Sequence, residues 1–564
     1  MPCLLATTIL LIGATTSLSE AQQSPRSLNP AGPLGFYPLM AASADMIYVV
    51  WDDVGPFSFY GGIYLSRSPD GGRTWLPNSR ISARPRPGPF QVAPNQGYSC
   101  CAELAAVNDS VYIAYVADAG IFFGASVDSG DSWSWRQVFP GGNAAEVRMA
   151  VEGNSVYLVW SGEQGGGLGT LFDRSLNAGD TWLHRQIRID VGVPPGPSTY
   201  ESERPQIAAM GSDVYAVWTD GSDIYFNRSL DRGSTWLTAA VRLNTGTPPG
   251  VINMSVEPRM AVAGGCVYVA WYDQRNGGRD IYFNRSCDAG MTWLSVDAKR
   301  NGTLAAQTIG DSPLIAASGN CVYVAWGESR SGNYHVFIDA SCDNGQTWLP
   351  TEQQLGTSFN YDAAIAASIS DVVVAWSENS RIGVNRSVDQ GTTWLPMDAT
   401  LPPGHVSDAL LFGSSAAVVS WTNSLDVIYD MPFGYQTYGS GTAGTGGITP
   451  SLAGSGHCSI GQQASIDIGN ARGSAPCVLA YSLNGSAAIP IGPGVLYVAP
   501  PLSYVTVSLG GSLGVAGAGT GQFSFTLPNS LALLGLQLNF QAGIADPAAT
   551  AGTALTSGLE MWIW

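Results

Sequence analysis

The sequence predicts an all-β repeat protein followed by a smaller β module, on three observations. First, only 12% of the 564 residues are charged, while Gly (69) and Trp (17) are frequent, a profile of turns and aromatic-rich strands. Second, a polar turn ending in tryptophan recurs: "NRSLDRGSTWL" from Asn227 has counterparts in "NRSCDAGMTWL" and "NRSVDQGTTWL". Third, two strand-like apolar runs precede each copy, as in "PRMAVAGGCVYVAWYDQRNGGRDIYFNRS".

The repeat is Ser-x-Asp-x-Gly-x-Thr-Trp, found seven times and ending at Trp75, Trp133, Trp182, Trp236, Trp293, Trp348 and Trp394. Its acidic position is Asp70, Asp128, Asn177, Asp231, Asp288, Asp343 and Asp389 in turn. Successive tryptophans lie 46 to 58 residues apart, a period suited to four-stranded propeller blades. The chemistry is that of a joint. A short carboxylate accepts N–H groups of its own turn, Gly permits positive φ, and Trp supplies a large apolar plate. Nothing in it requires a substrate.

After Trp394, "ALLFGSSAAVVSWTNSLDVIYD" supplies one more set of inner strands without the motif, and "SPRSLNP" near Ser24 resembles an outermost strand. An N-terminal strand from about Ser24 to Asn29 would then close the last blade. That gives an eight-bladed propeller over 22–436; a seven-bladed ring with an extra hairpin is the alternative. Residues 437–452 read as a Gly/Ser/Thr linker, and 453–564 alternate in short strands with Gly/Pro turns, as in a β-sandwich accessory domain.

Residues 1–21 read as a signal peptide: a short apolar core, then Ser19-Glu20-Ala21 in the small-x-small pattern of a cleavage site. The product is expected to be secreted or on the cell surface. The net charge of −18 argues against nucleic acid, and no later apolar run is long enough to span a bilayer. Cys266 and Cys287 stand 21 residues apart across an expected hairpin, and Cys321 and Cys342 repeat that spacing one period later. Opposed residues on antiparallel strands lie within reach of a bridge, so both pairs should be disulfides. Cys458–Cys477 is the third expected pair. Cys100 and Cys101 are adjacent, as a vicinal disulfide or as two thiols.

The loops entering each blade's first strand share one face with the loops between strands two and three. At the start of the first strands, residues two apart point to one side. These pairs are Tyr37/Leu39, Cys101/Glu103, Glu146/Arg148, Arg204/Gln206, Glu257/Arg259, Ser312/Leu314, Asp362/Ala364 and Ser407/Ala409. Glu146, Arg148, Arg204, Glu257 and Arg259 therefore gather around the channel mouth, as a ligand site or as a self-neutralising ring. A second ring, two residues after the aromatic of each second strand, holds Asp53, Asp220, Asp273, Glu328, Glu378 and Asn423. It could hold a calcium ion or a glycosidase pair, or simply form hairpin tips. Tyr200 and Glu201 are further candidates on this face. The four histidines form no ligand-like cluster, and no cofactor is called for.

The tryptophan motif resembles the Asp-box, or BNR repeat, of the sialidase superfamily of β-propellers, over roughly residues 25–432. The resemblance implies that the boxes sit at blade edges away from any active site. It also implies roles for an arginine trio, a Tyr–Glu pair and an acidic residue, which Arg148, Arg204 and Arg259 with Tyr200, Glu201 and Asp273 match by type. The Phe/Tyr-Arg-Ile-Pro motif that opens the propeller in that family is missing, and the arginines come from consecutive blades. The expectation is therefore a propeller that binds a glycan or protein ligand on its channel face without catalysis. An exo-acting glycoside hydrolase of sialidase type, or a structural surface or matrix protein, are the alternatives.

Overall fold

The strands are built from runs such as Val214–Trp218 and Val267–Trp271, whose side chains are wholly buried. A strand apolar on both faces must be covered on both faces, which a stack of sheets achieves and a single two-layer sheet does not. The computed structural model describes residues 26–563 except 29–34, 44–45, 54–61, 70–74, 82–101, 118–119, 141–143, 165–166, 194–202, 247–253, 303–312, 331–332, 357–362, 370, 379–380, 388, 395–398, 402–404, 413–415, 423–426, 457, 459–462, 529–532 and 534–535. Asp70, Cys100, Cys101, Tyr200 and Glu201 lie outside the described residues, as does the leader.

Seven separate four-stranded antiparallel sheets follow one another along the chain. In the fourth, Glu203–Met210, Asp213–Asp220, Asp223–Ser229 and Val241–Arg242 pair in simple succession. A further set, His405–Phe412, Ala416–Thr422 and Val427–Tyr438, takes Arg26–Ser27 as its outer strand, with Arg26 opposite Tyr429 and Ser27 opposite Ile428. Each first strand packs beside the next, and His405–Phe412 packs beside Gly35–Ser43, so the succession returns to its start. The expected N-terminal closing strand is thus present. Leu28, just beyond it, is buried with Met40, Ile47, Val49 and Trp51 of the first sheet, which seals the seam.

The recurrent turn joins neighbouring sheets. Asp231 accepts hydrogen bonds from the Thr235 N–H at 2.8 Å and from the Ser229 and Thr235 hydroxyls at 2.6 and 2.7 Å. Gly233 has φ +76, and a Cβ there would come within 2.5 Å of Phe172, from the third strand of the preceding sheet. The same phenyl ring meets Trp236 edge-on at 4.8 Å. Phe123 with Trp182, Phe226 with Trp293 and Phe283 with Trp348 repeat this contact at 4.8–4.9 Å. Arginines reinforce it: Arg174 reaches Asp231 O at 3.4 Å and Ser234 Oγ at 3.0 Å, and Arg228 reaches Ala289 O at 2.7 Å. Each aromatic pair contributes about 0.5–1.5 kcal/mol beyond its burial. Glycine is demanded here by the backbone angle and by the neighbouring ring together.

Disulfides join Cys266 to Cys287 and Cys321 to Cys342, as the spacing anticipates. Cys458 and Cys477 do not pair, contrary to expectation; both are free, buried thiols. Cys477 stands near the start of the strand Pro476–Ser482, opposite Val507 and Ile544, while Cys458 bonds the Tyr435 hydroxyl. Burial pushes the two thiols up to about 11 and about 12 respectively, so each is a neutral, unreactive core group.

The last strand of the ring, Val427–Tyr438, runs on to pair with Gly558–Trp562. Beyond it, Gln537–Ala545, Pro476–Ser482 and Ser503–Ser508 extend the same sheet. A three-stranded sheet of Ser451–Gly456, Gln463–Ala471 and Gly519–Thr526 shares with it a core of Ile466, Leu479, Phe525 and Phe540. The segment read as a linker is fastened down. Thr442 N–H bonds Leu555 O at 2.8 Å, and Thr445 donates to Asp546 from its N–H at 2.7 Å and its hydroxyl at 2.5 Å.

Two expectations follow. Leu28→Ala empties part of the seam and should lower unfolding free energy by about 2–5 kcal/mol in a denaturant titration. The second concerns acid. Hydrogen bonds from Thr292 to Asp288, and from Ser132 to Asp128, hold these carboxyls at about 2. A folded value below the unfolded one of about 3.9 contributes stability that is present above pH 4 and lost as pH falls toward 2. Asp288→Asn should fold, since Asn177 already accepts the Thr181 N–H at 2.9 Å in the third copy. Its melting temperature should fall less steeply than the parent's between pH 5 and pH 2.

Candidate functional site at the mouth of the ring

The first strands of three consecutive sheets begin with the same irregularity. Pairing slips between Ala145 and Arg148, between Glu203 and Gln206, and between Val256 and Arg259. At each slip one non-glycine residue takes a left-handed backbone: Glu146 (φ 54), Arg204 (φ 54) and Glu257 (φ 60). A bulge leaves a residue unpaired, and Pro205 and Pro258 follow two of these positions with no N–H to strand. Such conformations cost on the order of 1–3 kcal/mol each and collect where side chains are re-aimed. Here the side chains are charged.

The five residues expected at the mouth come together with one another and with Glu103, which occupies in the second sheet the position of Arg148 in the third. Arg148 Nη1 lies 3.3 Å from Glu103 Oε1, and Arg204 pairs with Glu257. Glu146, 7% exposed, accepts the backbone N–H of Arg204 at 2.5 Å. Burial raises the Glu103 carboxyl above the ordinary carboxylate range, and Arg148 opposes that rise. Burial also lowers Arg259 to about 10, helped by Arg148 and Arg204 and opposed by Glu103 and Glu146. Arg259 thus remains a cation at neutral pH. Among the described residues it forms no ion pair, although both neighbouring arginines do.

In the second ring, Asp273, Glu328 and Glu378 are engaged by neighbouring strand and hairpin groups. Asp273 is fully buried, accepts Ser255 Oγ at 2.8 Å and Trp271 Nε1 at 3.2 Å, and is ion-paired with Arg275, which also holds Asp297. Glu328 takes Trp326 Nε1 and Arg330; Glu378 takes Trp376 Nε1 and Arg381. These carboxylates lock Trp271, Trp326 and Trp376 of their second strands in place. Asp273 is therefore engaged in the framework. Among the described residues no group of three or more His, Cys, Asp or Glu side chains is arranged to hold a metal ion. The arginine partners were readable as Asp-x-Arg at Asp273 and Glu-x-Arg at Glu328.

Arg275→Ala would leave two buried carboxylates without their cation. Loss of one member of such a network costs about 3–5 kcal/mol. The expected result is a large drop in the denaturation midpoint, with Asp273→Asn in the same background recovering part of it.

No protein-family model and no curated protein matches the sequence. Among solved structures, the GH93 α-L-arabinofuranosidase of Fusarium graminearum with arabinobiose is 14% identical, covering 51% of this chain and 93% of that one, at a TM-score of 0.34. The polysaccharide lyase Uly1 is 10% identical over 62% and 92%, at 0.40. The Trypanosoma rangeli sialidase is 10% identical over 96% and 94%, at 0.31. Superpositions of this quality carry no argument about activity, which has to come from the residues themselves.

Proposed function

We propose that the protein is a secreted eight-bladed β-propeller with a C-terminal β-sandwich, which binds an anionic glycan or protein ligand at the mouth of its ring and does not turn it over. The observation that carries this reading is Arg259: a cation without an ion pair among the described residues, set beside two arginines already paired with glutamates. A planar guanidinium matches a carboxylate or another oxyanion in a bidentate fork. Two like charges and burial disfavour it in the free protein, so an arriving anion relieves an existing penalty. The closed succession of eight first strands supports the blade count, and the two disulfides favour export. Among the described residues no helix is long and apolar enough to cross a membrane.

A second reading, a glycoside hydrolase, rests on Glu103. A carboxyl raised by burial beside an arginine cluster is suited to donate a proton to a leaving oxygen. A glycan array run beside a fluorogenic glycoside screen separates the two. Binding without turnover supports the first reading; turnover that Glu103→Gln reduces at least about 100-fold supports the second. Neither result would leave a structural surface or matrix protein.

The binding reading makes an unusual demand on one variant. Arg259→Met should weaken ligand binding at least about tenfold. It should also raise the melting temperature, because a half-buried cation without an ion pair among the described residues is replaced by an apolar chain of similar length. A melting temperature that falls, with binding retained, would contradict it.

A further inference from the structure

No Asp, Glu, Lys, Arg or His lies between Arg472 and Asp546, in a chain whose net charge is −18. This uncharged stretch supplies both edge strands on one side of the C-terminal domain. Ser503–Ser508 is the last strand of its sheet; it pairs with Pro476–Ser482, and among the described residues no strand pairs with its other edge. The pairing runs unbroken from Pro476–Ser508 to Tyr481–Ser503, so no bulge twists the edge away. No proline or lysine interrupts the strand, and Val505, Thr506 and Val507 are β-branched. Tyr504 is 74% exposed and Val478, opposite Thr506 on the same outer face, 42%. The ring treats its edges differently, ending most sheets in outer strands of two residues such as Ile187–Arg188 and Val241–Arg242. An unprotected row of backbone donors and acceptors is a template for another strand.

We propose that this edge joins two copies of the protein, antiparallel along Ser503–Ser508, about a two-fold axis at Thr506. The occupant follows from charge and from sequence. Two strongly acidic molecules repel over most of their surfaces, and this face brings no ionised group to the contact. Paired residues must share a face, so an axis at Thr506 sets Val505 against Val507 of the second copy and Tyr504 against Ser508. The valine pairs then continue the inner face, where Val507 is buried and Val505 half-buried. The contact is isologous and closes at two copies.

Light scattering on the full-length protein over a range of concentrations tests this. The wild type should double in mass as concentration rises. Thr506→Lys, which places two like charges opposite each other at an exposed position, should remain at single mass with an unchanged melting curve. Thr506→Cys should cross-link to a dimer under mild oxidation, since directly opposed residues lie about 4.5–5.5 Å apart, within disulfide reach. Thr520→Cys, equally exposed on the other edge strand, should not. A wild type of single mass at every concentration, a Thr506→Lys dimer, an open-ended series of masses, or equal cross-linking at Thr520 would each overturn the proposal.

Discussion

A phenyl ring from one sheet resting on the glycine of the next sheet's turn is the contact on which the ring depends. Phe172 on Gly233 is one instance, and Phe123 on Gly179 and Phe226 on Gly290 are others. The Asp side chain inside the described turns, or the Asn177 amide in the third copy, shapes the loop so that glycine and tryptophan stand at the right distance to receive the ring. Two residues after Phe172 and Phe226, Arg174 and Arg228 then bond loop oxygens of the neighbour, while at the Phe123 joint Arg136 bonds Gly179 O. A sheet with two buried faces cannot stand alone, and this joint fixes the angle at which the next one covers it. Placement of the first strands, and so of the charged cluster at the mouth, is inherited from it.

The cluster adds cost to that framework. Three left-handed residues, a partly desolvated guanidinium and three carboxylates occupy one arc of the ring, where apolar residues would pack with less strain. The second carboxylate ring is the opposite case. There Asp273, Glu328 and Glu378 each hold a tryptophan and an arginine, and their charges are spent on rigidity. Two sets of acids at neighbouring loop positions thus differ in kind: one set fully committed, the other leaving a cation over.

Much of the fold was legible because its signals are local. The turn motif repeats with its own chemistry, the closing strand near Ser24 carries a pattern shared with other outer strands, and two cysteine pairs recur at one spacing. The convergence of Arg148, Arg204 and Arg259 was readable from two-residue alternation. What alternation does not reveal is the bulge, because an inserted residue changes backbone φ without changing composition; Glu146, Arg204 and Glu257 look like ordinary strand residues. The framework contacts of Asp273 were hidden for a related reason: a hairpin-tip carboxylate reads alike whether it faces water or an indole N–H. Cys458 and Cys477 failed because whether a residue beyond a strand end meets one on another strand depends on how the core packs, which no spacing encodes. The stretch at 437–452 has the composition of a tether, and its anchors, Asp546 and Leu555, lie a hundred residues away.

The strand Val427–Tyr438 takes Arg26–Ser27 along its first part and Gly558–Trp562 along its last. Segments more than five hundred residues apart in sequence are therefore stitched to the same short rail. Folding of the ring cannot be completed by local steps alone, because the rail pairs with Arg26–Ser27 along one part and with Gly558–Trp562 along another, both far away in sequence. The mechanics follow the same line. Tension applied through the C-terminal domain would travel along the rail into the ring's own closure, loading its hydrogen bonds in parallel. A molecule held by that domain would carry load on its seam, with no slack linker to absorb it.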